Sequence, residues 1–334
     1  MGVISSFLDG VMFGAELEHE SLTMFPVRTG SESGVAYLSL AEAMGSGLAR
    51  VSEVSEGGSV PNLLLENSAS LPVLIVDGEE LVGAKQNRVA NLTILVPAKT
   101  TTKIPVSCVE AGRWKYSRKG FAASGRVHFS TGRAARTRSV SVSLCRDRGP
   151  VSDQGRVWRD ISAKAARMKA PSPTNAMAAI FEHNHRHLGA YVDALSVNGD
   201  HCGGIFAIAS TVAGLDIFDE PSTFRAMLPK LVRSYAVDAM EHTGRNGRGC
   251  SKKTAKTFLG ELGAADEKSY PAVGLGKAVR LTGPGLVGGA LVVEGQLVHL
   301  AAFATPGTEA GGEDDDSRPT MARTLFRRRM YEDN

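Results

Sequence analysis

Two short stretches concentrate the residues able to do chemistry, GEELVGAKQNR at 78–88 and PVSCVEAGRW at 105–114. Lys85, Gln86, Asn87 and Arg88 are consecutive and rich in donors, and Gly83 and Ala84 before them let a ligand come close to the backbone. Such a loop suits phosphate, ribose hydroxyls or a carboxamide. Glu79 and Glu80 add acceptors suited to ribose hydroxyls, or are turn-flanking acids that stay in water. In the second stretch, Cys108 and Arg113 invite comparison with thiol nucleophiles in C-x5-R phosphate loops, but the spacing here is C-x4-R, with Ser107 where that pattern has histidine. On a strand, Ile104, Val106, Cys108 and Glu110 share one face, which lines the thiol up with core residues and reads as packing. Glu110 ends that face and serves either as an acid or base or as the partner of Arg113. The candidate catalytic carboxylates are therefore Glu80 and Glu110, and the candidate ligand-binding set is Lys85, Gln86, Asn87, Arg88, Arg113 and Trp114.

These residues need strands to hold them. VLIV (73–76) and ELVG (80–83) flank Asp77-Gly78, a pair suited to a two-residue hairpin turn, so the two polar clusters are expected to meet at one end of a small sheet. Residues 61–112 read as all-β. The basic Gly/Ser/Arg-rich stretch 117–150 reads as a loop or linker. Beyond it, Met177, Ile180, Phe181, Leu188, Tyr191, Val192 and Leu195 form one apolar arc of a helix over 177–195. Two apolar strands around Ser210-Thr211 come next within 203–221 and a hairpin follows at 288–303; between them lies a helical stretch over 224–240 in which Pro229 either kinks the helix or starts a new one. The expectation is an α+β fold, with an N-terminal antiparallel β-rich part followed by mixed helices and β-hairpins. Its divisions are 1–116, the basic loop 117–150, a helix and hairpin part 151–304, and a disordered tail 305–334.

The 334 residues are 43% apolar and 22% charged, enough to bury a sizeable core. No run approaches the roughly 18 apolar residues of a membrane span, and the expected location is cytoplasmic. Cys108, Cys145, Cys202 and Cys250 are scattered without a C-x-x-C pair, which argues against a zinc site or a disulfide framework. HNHRH (183–187) spaces two histidines as a zincin does, yet Asn184 stands where the zincin glutamate would be, so no metal is expected. No G-x-G-x-x-G opens a helix and no P-loop occurs. Ten Lys/Arg lie between Arg113 and Arg148 against one acid, Asp147. That segment attracts polyanions, with Arg133, Arg136 and Arg138 as candidate nucleic-acid contacts, or is simply a basic surface. The tail carries five acids in TPGTEAGGEDDDS (305–317), with Arg318, Arg323, Arg327, Arg328 and Arg329 after them.

LPVLIVDGEELVGAKQNRVANLTILVPAKTTTKIPVSCVEAGRW (71–114) resembles, almost phrase by phrase, the ADP-ribosylglycohydrolase and rhodanese-phosphatase-superfamily-associated protein domain. SEGGSVPNLLLEN (55–67) and GLDIFDEPSTFRAMLPKLVRSYAVDAM (214–240) are similar to its other recurring stretches, so the resemblance spans roughly residues 16–303. The family takes its name from its gene neighbours, which implies NAD or ADP-ribose metabolism by association and lends no catalytic residues. Two readings stay open. One is an enzyme or sensor for ADP-ribose or another NAD-derived nucleotide, with Lys85, Arg88 and Arg113 at the pyrophosphate, Gln86, Asn87 and Glu80 at ribose or amide groups, and Trp114 stacking. The other is a non-catalytic module that holds nucleic acid or a partner protein through the basic 113–148 segment. No motif names a cofactor or a reaction.

Overall fold

A computed structural model describes residues 2–30, 34–55, 59–115, 120–242 and 249–305. The fold is α+β, built on sheets of nine, six and three strands. In the nine-stranded sheet the early strand Leu22–Arg28 pairs antiparallel with Gly203–Ile208. Next come Thr211–Phe218, Gln296–Ala304, Leu286–Val293, Lys277–Gly283 and Asp266–Pro271. Strands from the first and last parts of the chain therefore share one sheet, and the β-rich first part is not separate in space from the later part of the chain.

That sheet is covered on both faces, which explains why strands such as LTMFPV (22–27) are buried throughout and show no apolar/polar alternation. One face packs on the helix Pro221–Ala239 through Phe206, Phe218, Phe224, Leu231 and Phe303. The other face packs on helices Val3–Leu8 and Lys252–Gly263 through Phe25, Ile205, Leu215, Phe258 and Leu262. The expected hairpins at 203–218 and 288–303 form. Glu294 and Gly295 turn the second with φ of 53° and 82°, the mirror-image geometry that matches strand twist. Pro221 opens its helix at the first turn, and Pro229 sits inside the same helix without ending it.

Three expectations need correction. The helix over 177–195 is broken into Met177–His183 and His185–Ala194. Asn184 sits at the break, where its side-chain amide donates to the Ile180 carbonyl at 2.7 Å, a local alternative to the helical ladder. The Asp77-Gly78 turn exists, with Gly78 at φ 83° and Glu79 N–H bonded to Val76 O, but it joins no hairpin. Val73–Ile75 pairs with Ile94–Val96, whereas Glu79–Gly83 pairs with Arg88–Ala90 and Phe121–Val127. The turn crosses between sheets because its backbone is engaged elsewhere: Gly78 N–H donates to Ala90 O, and Gly78 O accepts from His128 N–H. Finally, the stretch taken as a basic loop or linker contains the strand Phe121–Val127 and the 16-residue helix Ser130–Cys145. Two of its arginines are not solvated, since Arg133 and Arg136 are buried in ion pairs with Asp77 and Asp216, whereas Arg138, Arg146 and Arg148 are exposed. The tail expectation from 306 onward lies outside the described residues.

Among the described residues, no group of three or more His, Cys, Asp or Glu is placed to hold a metal. No described helix is long and apolar enough to cross a membrane.

Candidate functional site

Strand pairing decides which predicted residues meet. Arg88 lies directly opposite both Leu81 and Cys108, so Arg88 and Cys108 share one face of the sheet. Glu80 lies opposite Val89, one residue out of step, and points to the other face. There it accepts from Arg126 Nε at 2.6 Å and Ser124 Oγ at 2.9 Å. Burial raises the Glu80 carboxyl above its ordinary value, with Arg126 pulling the other way. Glu80 is therefore a structural partner of Arg126, outside the cluster expected from the sequence.

The remaining candidates converge. The Ala84–Asn87 loop between Glu79–Gly83 and Arg88–Ala90 is folded around the segment just after Cys108. Gln86 Nε2 donates to Glu110 O at 2.8 Å, and its Oε1 accepts from Arg88 Nη1 and from the Cys108 thiol, both at 2.9 Å. Glu110 Oε2 accepts from Arg113 Nη2 at 2.6 Å and from Asn87 N–H at 3.2 Å, while Oε1 accepts from Thr174. Arg113 also donates to Asn87 Oδ1 at 3.1 Å and Ala84 O at 2.6 Å. Its nitrogens are thus committed to shaping the loop. Burial alone pushes the Glu110 carboxyl up, but bonds from Arg113, Thr174 and Asn87 outweigh it and hold the group below its usual range. A carboxylate so engaged positions its neighbours and is poorly placed to exchange protons.

Arg88 differs from every other cation in the cluster. It is fully buried, no carboxylate lies within ion-pair distance among the described residues, and its Nε and Nη2 have no hydrogen-bond partner. Cys108 supplies no charge to it, because burial raises the thiol and the Arg88 guanidinium only partly opposes that. Trp114, 45% exposed, covers the guanidinium with Arg88 Cζ at 5.7 Å and Lys85 Nζ at 5.3 Å from its ring. Beneath, Gln154 brackets Cys108, accepting its N–H at 2.7 Å and donating to its carbonyl at 2.8 Å. No sequence signal pointed to Gln154, which stands 46 residues from its partner.

A buried charge network joining the sheets was equally invisible in the sequence. Arg133 bonds both oxygens of Asp216 and approaches Asp77 Oδ2 at 3.4 Å. Arg136 bonds Asp77 Oδ1 at 2.7 Å and His128 Nδ1 at 2.9 Å. Tyr235 donates to Asp216 at 3.1 Å. Gly78 admits the two arginines, since a Cβ there would meet Arg136 Nη2 at 3.1 Å and Arg133 Cγ at 3.2 Å. Of the three arginines considered for nucleic acid, only Arg138 is exposed.

No curated protein and no solved structure matches this chain. A family model does, from residue 10 to residue 303, over the strands, loop and helices that build the Arg88 cluster. The chain belongs to the family of the ARG and Rhodanese-Phosphatase-superfamily-associated Protein domain, ARPP-1.

Proposed function

We propose that Lys85, in the Ala84–Asn87 loop, and Arg88, at the start of the strand after it, bind the phosphate groups of an ADP-ribose-type nucleotide, with Trp114 against the base. One observation carries this reading: among the described residues Arg88 is a buried guanidinium with two unused nitrogens and no counter-charge. Holding an unpaired ion out of water is costly, and an arriving phosphate would satisfy both nitrogens in the forked geometry that guanidinium favours. Because Arg88 has no exposed surface, the ligand enters by displacing Trp114 from above it, and the displaced indole is then free to stack. Arg113, Asn87 and Glu110 hold the loop in shape and make no direct phosphate contact. The nucleotide class rests only on what the family's name implies by association, and no arrangement in the cluster assigns a bond-breaking step.

Isothermal calorimetry of the full chain tests this. ADP-ribose should bind more tightly than adenosine, and Arg88→Ala should weaken it by roughly ten- to a hundredfold, as expected for a lost charge-assisted contact of about 1.5 to 3 kcal/mol. Equal affinity for adenosine and ADP-ribose, or no heat from either, would remove the reading.

A further inference from the structure

A second unpaired guanidinium lies elsewhere, at a small cavity lined by Asp77, Thr93, Thr137, Arg280, Gly289 and Ala301 among others. The space amounts to about 10 Å³, room for one water-sized particle. Arg280 stands opposite Gly289 in the sheet and lays its head over it: a Cβ on Gly289 would fall 2.2 Å from Arg280 Nη1. The missing side chain is what lets this arginine reach the cavity.

Arg280 is 6% exposed. Its Nε donates to Ser141 Oγ at 3.0 Å and its Nη2 to Thr137 O at 2.9 Å, both on the Ser130–Cys145 helix. Among the described residues Nη1 meets no acceptor and no carboxylate comes within ion-pair distance. Burial pulls Arg280 down to about 10, Asp77 opposing and Arg136 adding to the fall. Asp77 cannot neutralise it, because Oδ1 is taken by Arg136 and Oδ2 faces Arg133. Of the charged groups only Arg280 and Asp77 line the cavity; with Arg133, Arg136 and Asp216, which connect to it through the ion pairs of Asp77, three guanidiniums stand against two carboxylates. His128 adds nothing to either side, since burial keeps it neutral.

We propose that this cavity binds one monatomic inorganic anion of chloride's size, seated on Arg280 Nη1, which balances the third guanidinium. So small a space suits a monatomic ion better than phosphate, sulfate or a carboxylate. Through Arg280, which donates to Ser141 and Thr137, the anion couples the sheet strand Lys277–Gly283 to the Ser130–Cys145 helix, and it is independent of the nucleotide reading.

The test compares thermal unfolding of the full chain in sodium chloride, sodium bromide and sodium gluconate at equal ionic strength. Chloride and bromide should raise the midpoint relative to gluconate, each tenfold increase in halide well above half-saturation lowering the unfolding constant about tenfold. Arg280→Gln should lose that dependence. Identical midpoints in chloride and gluconate, or an unchanged halide effect in folded Arg280→Gln, would overturn the proposal. If Arg280→Gln does not fold, crystals of the parent grown in bromide decide: an anomalous peak within about 3.5 Å of Arg280 Nη1 supports the site, and ordered water alone there overturns it.

Discussion

Arg133 lays Nη1 and Nη2 on the two carboxylate oxygens of Asp216, at 3.0 and 2.5 Å, where neither residue reaches water. One partner sits on a helix within the basic segment, the other on a strand 83 residues later in the middle of the largest sheet. The pair joins parts of the fold that no local sequence pattern links.

Breaking that pair should be severe. Arg133→Ala leaves Asp216 buried with only Tyr235 and the nearby His299 ring, and such losses typically cost about 3 to 5 kcal/mol. Denaturant unfolding of Arg133→Ala should show this fall, whereas Arg138→Ala, at an exposed position of the same helix, should stay within about 0.5 kcal/mol of the parent. Matching stabilities for the two variants would mean that Arg133 is not held as described.

Arg88 should behave in the opposite way. Because it has no counter-charge among the described residues, Arg88→Met removes an unfavourable buried ion and retains an apolar stem of comparable length, so the unliganded protein should be at least as stable as the parent. Nucleotide affinity should fall in the same variant. A rise in melting temperature together with lost calorimetric heat separates a binding arginine from a structural one, which would lower both.

Cys108 should prove structural. Its side chain has no exposed surface and burial raises the thiol, so iodoacetamide should modify exposed Cys145 well before Cys108, as peptide mass spectrometry can resolve. Cys108→Ala should cost roughly 1 to 2 kcal/mol, the scale of a small buried truncation. Rapid labelling of Cys108 in the folded chain would reopen the nucleophile reading.

His128 sets an acid-side dependence. Burial first, then the charges of Arg136, Arg133 and Lys164, hold its folded value well below 6.5, while the unfolded chain titrates near 6.5. Below that pH the unfolded state binds the extra proton, so stability falls as pH drops from about 6.5 toward the folded value, by up to about 1.4 kcal/mol per pH unit. His128→Asn retains an acceptor for Arg136 and should flatten that slope in denaturant titrations between about pH 4.5 and 6.5. An unchanged slope would place the dependence on other groups.

The parts legible in sequence were those fixed by local chemistry. Gly83, Ala84 and the four polar residues after them marked a loop, and strand alternation put Cys108 on a core-facing side. Glu294-Gly295 announced its hairpin because positive φ at both positions is demanded locally. The features that escaped depended on distant partners. Arg133 and Arg136 read as solvent-facing because charge in a Gly/Ser/Arg-rich stretch ordinarily is, and only Asp77 and Asp216 make their burial tolerable. Glu80 was misplaced for a finer reason: a shift of one position along a strand reverses the face, and pairing register is not written in composition.

The strand Leu22–Arg28 leaves the ribosome well before its neighbour Gly203–Ile208, which emerges about 175 residues later. At 5 to 20 residues per second, that is a wait of roughly 9 to 35 s with a largely apolar segment lacking its main partner. The short companions Met12–Phe13 and Leu17–His19 precede it and can pair with it at once. They amount to a provisional cover during synthesis, and a chain lacking them should depend more heavily on chaperones to emerge soluble.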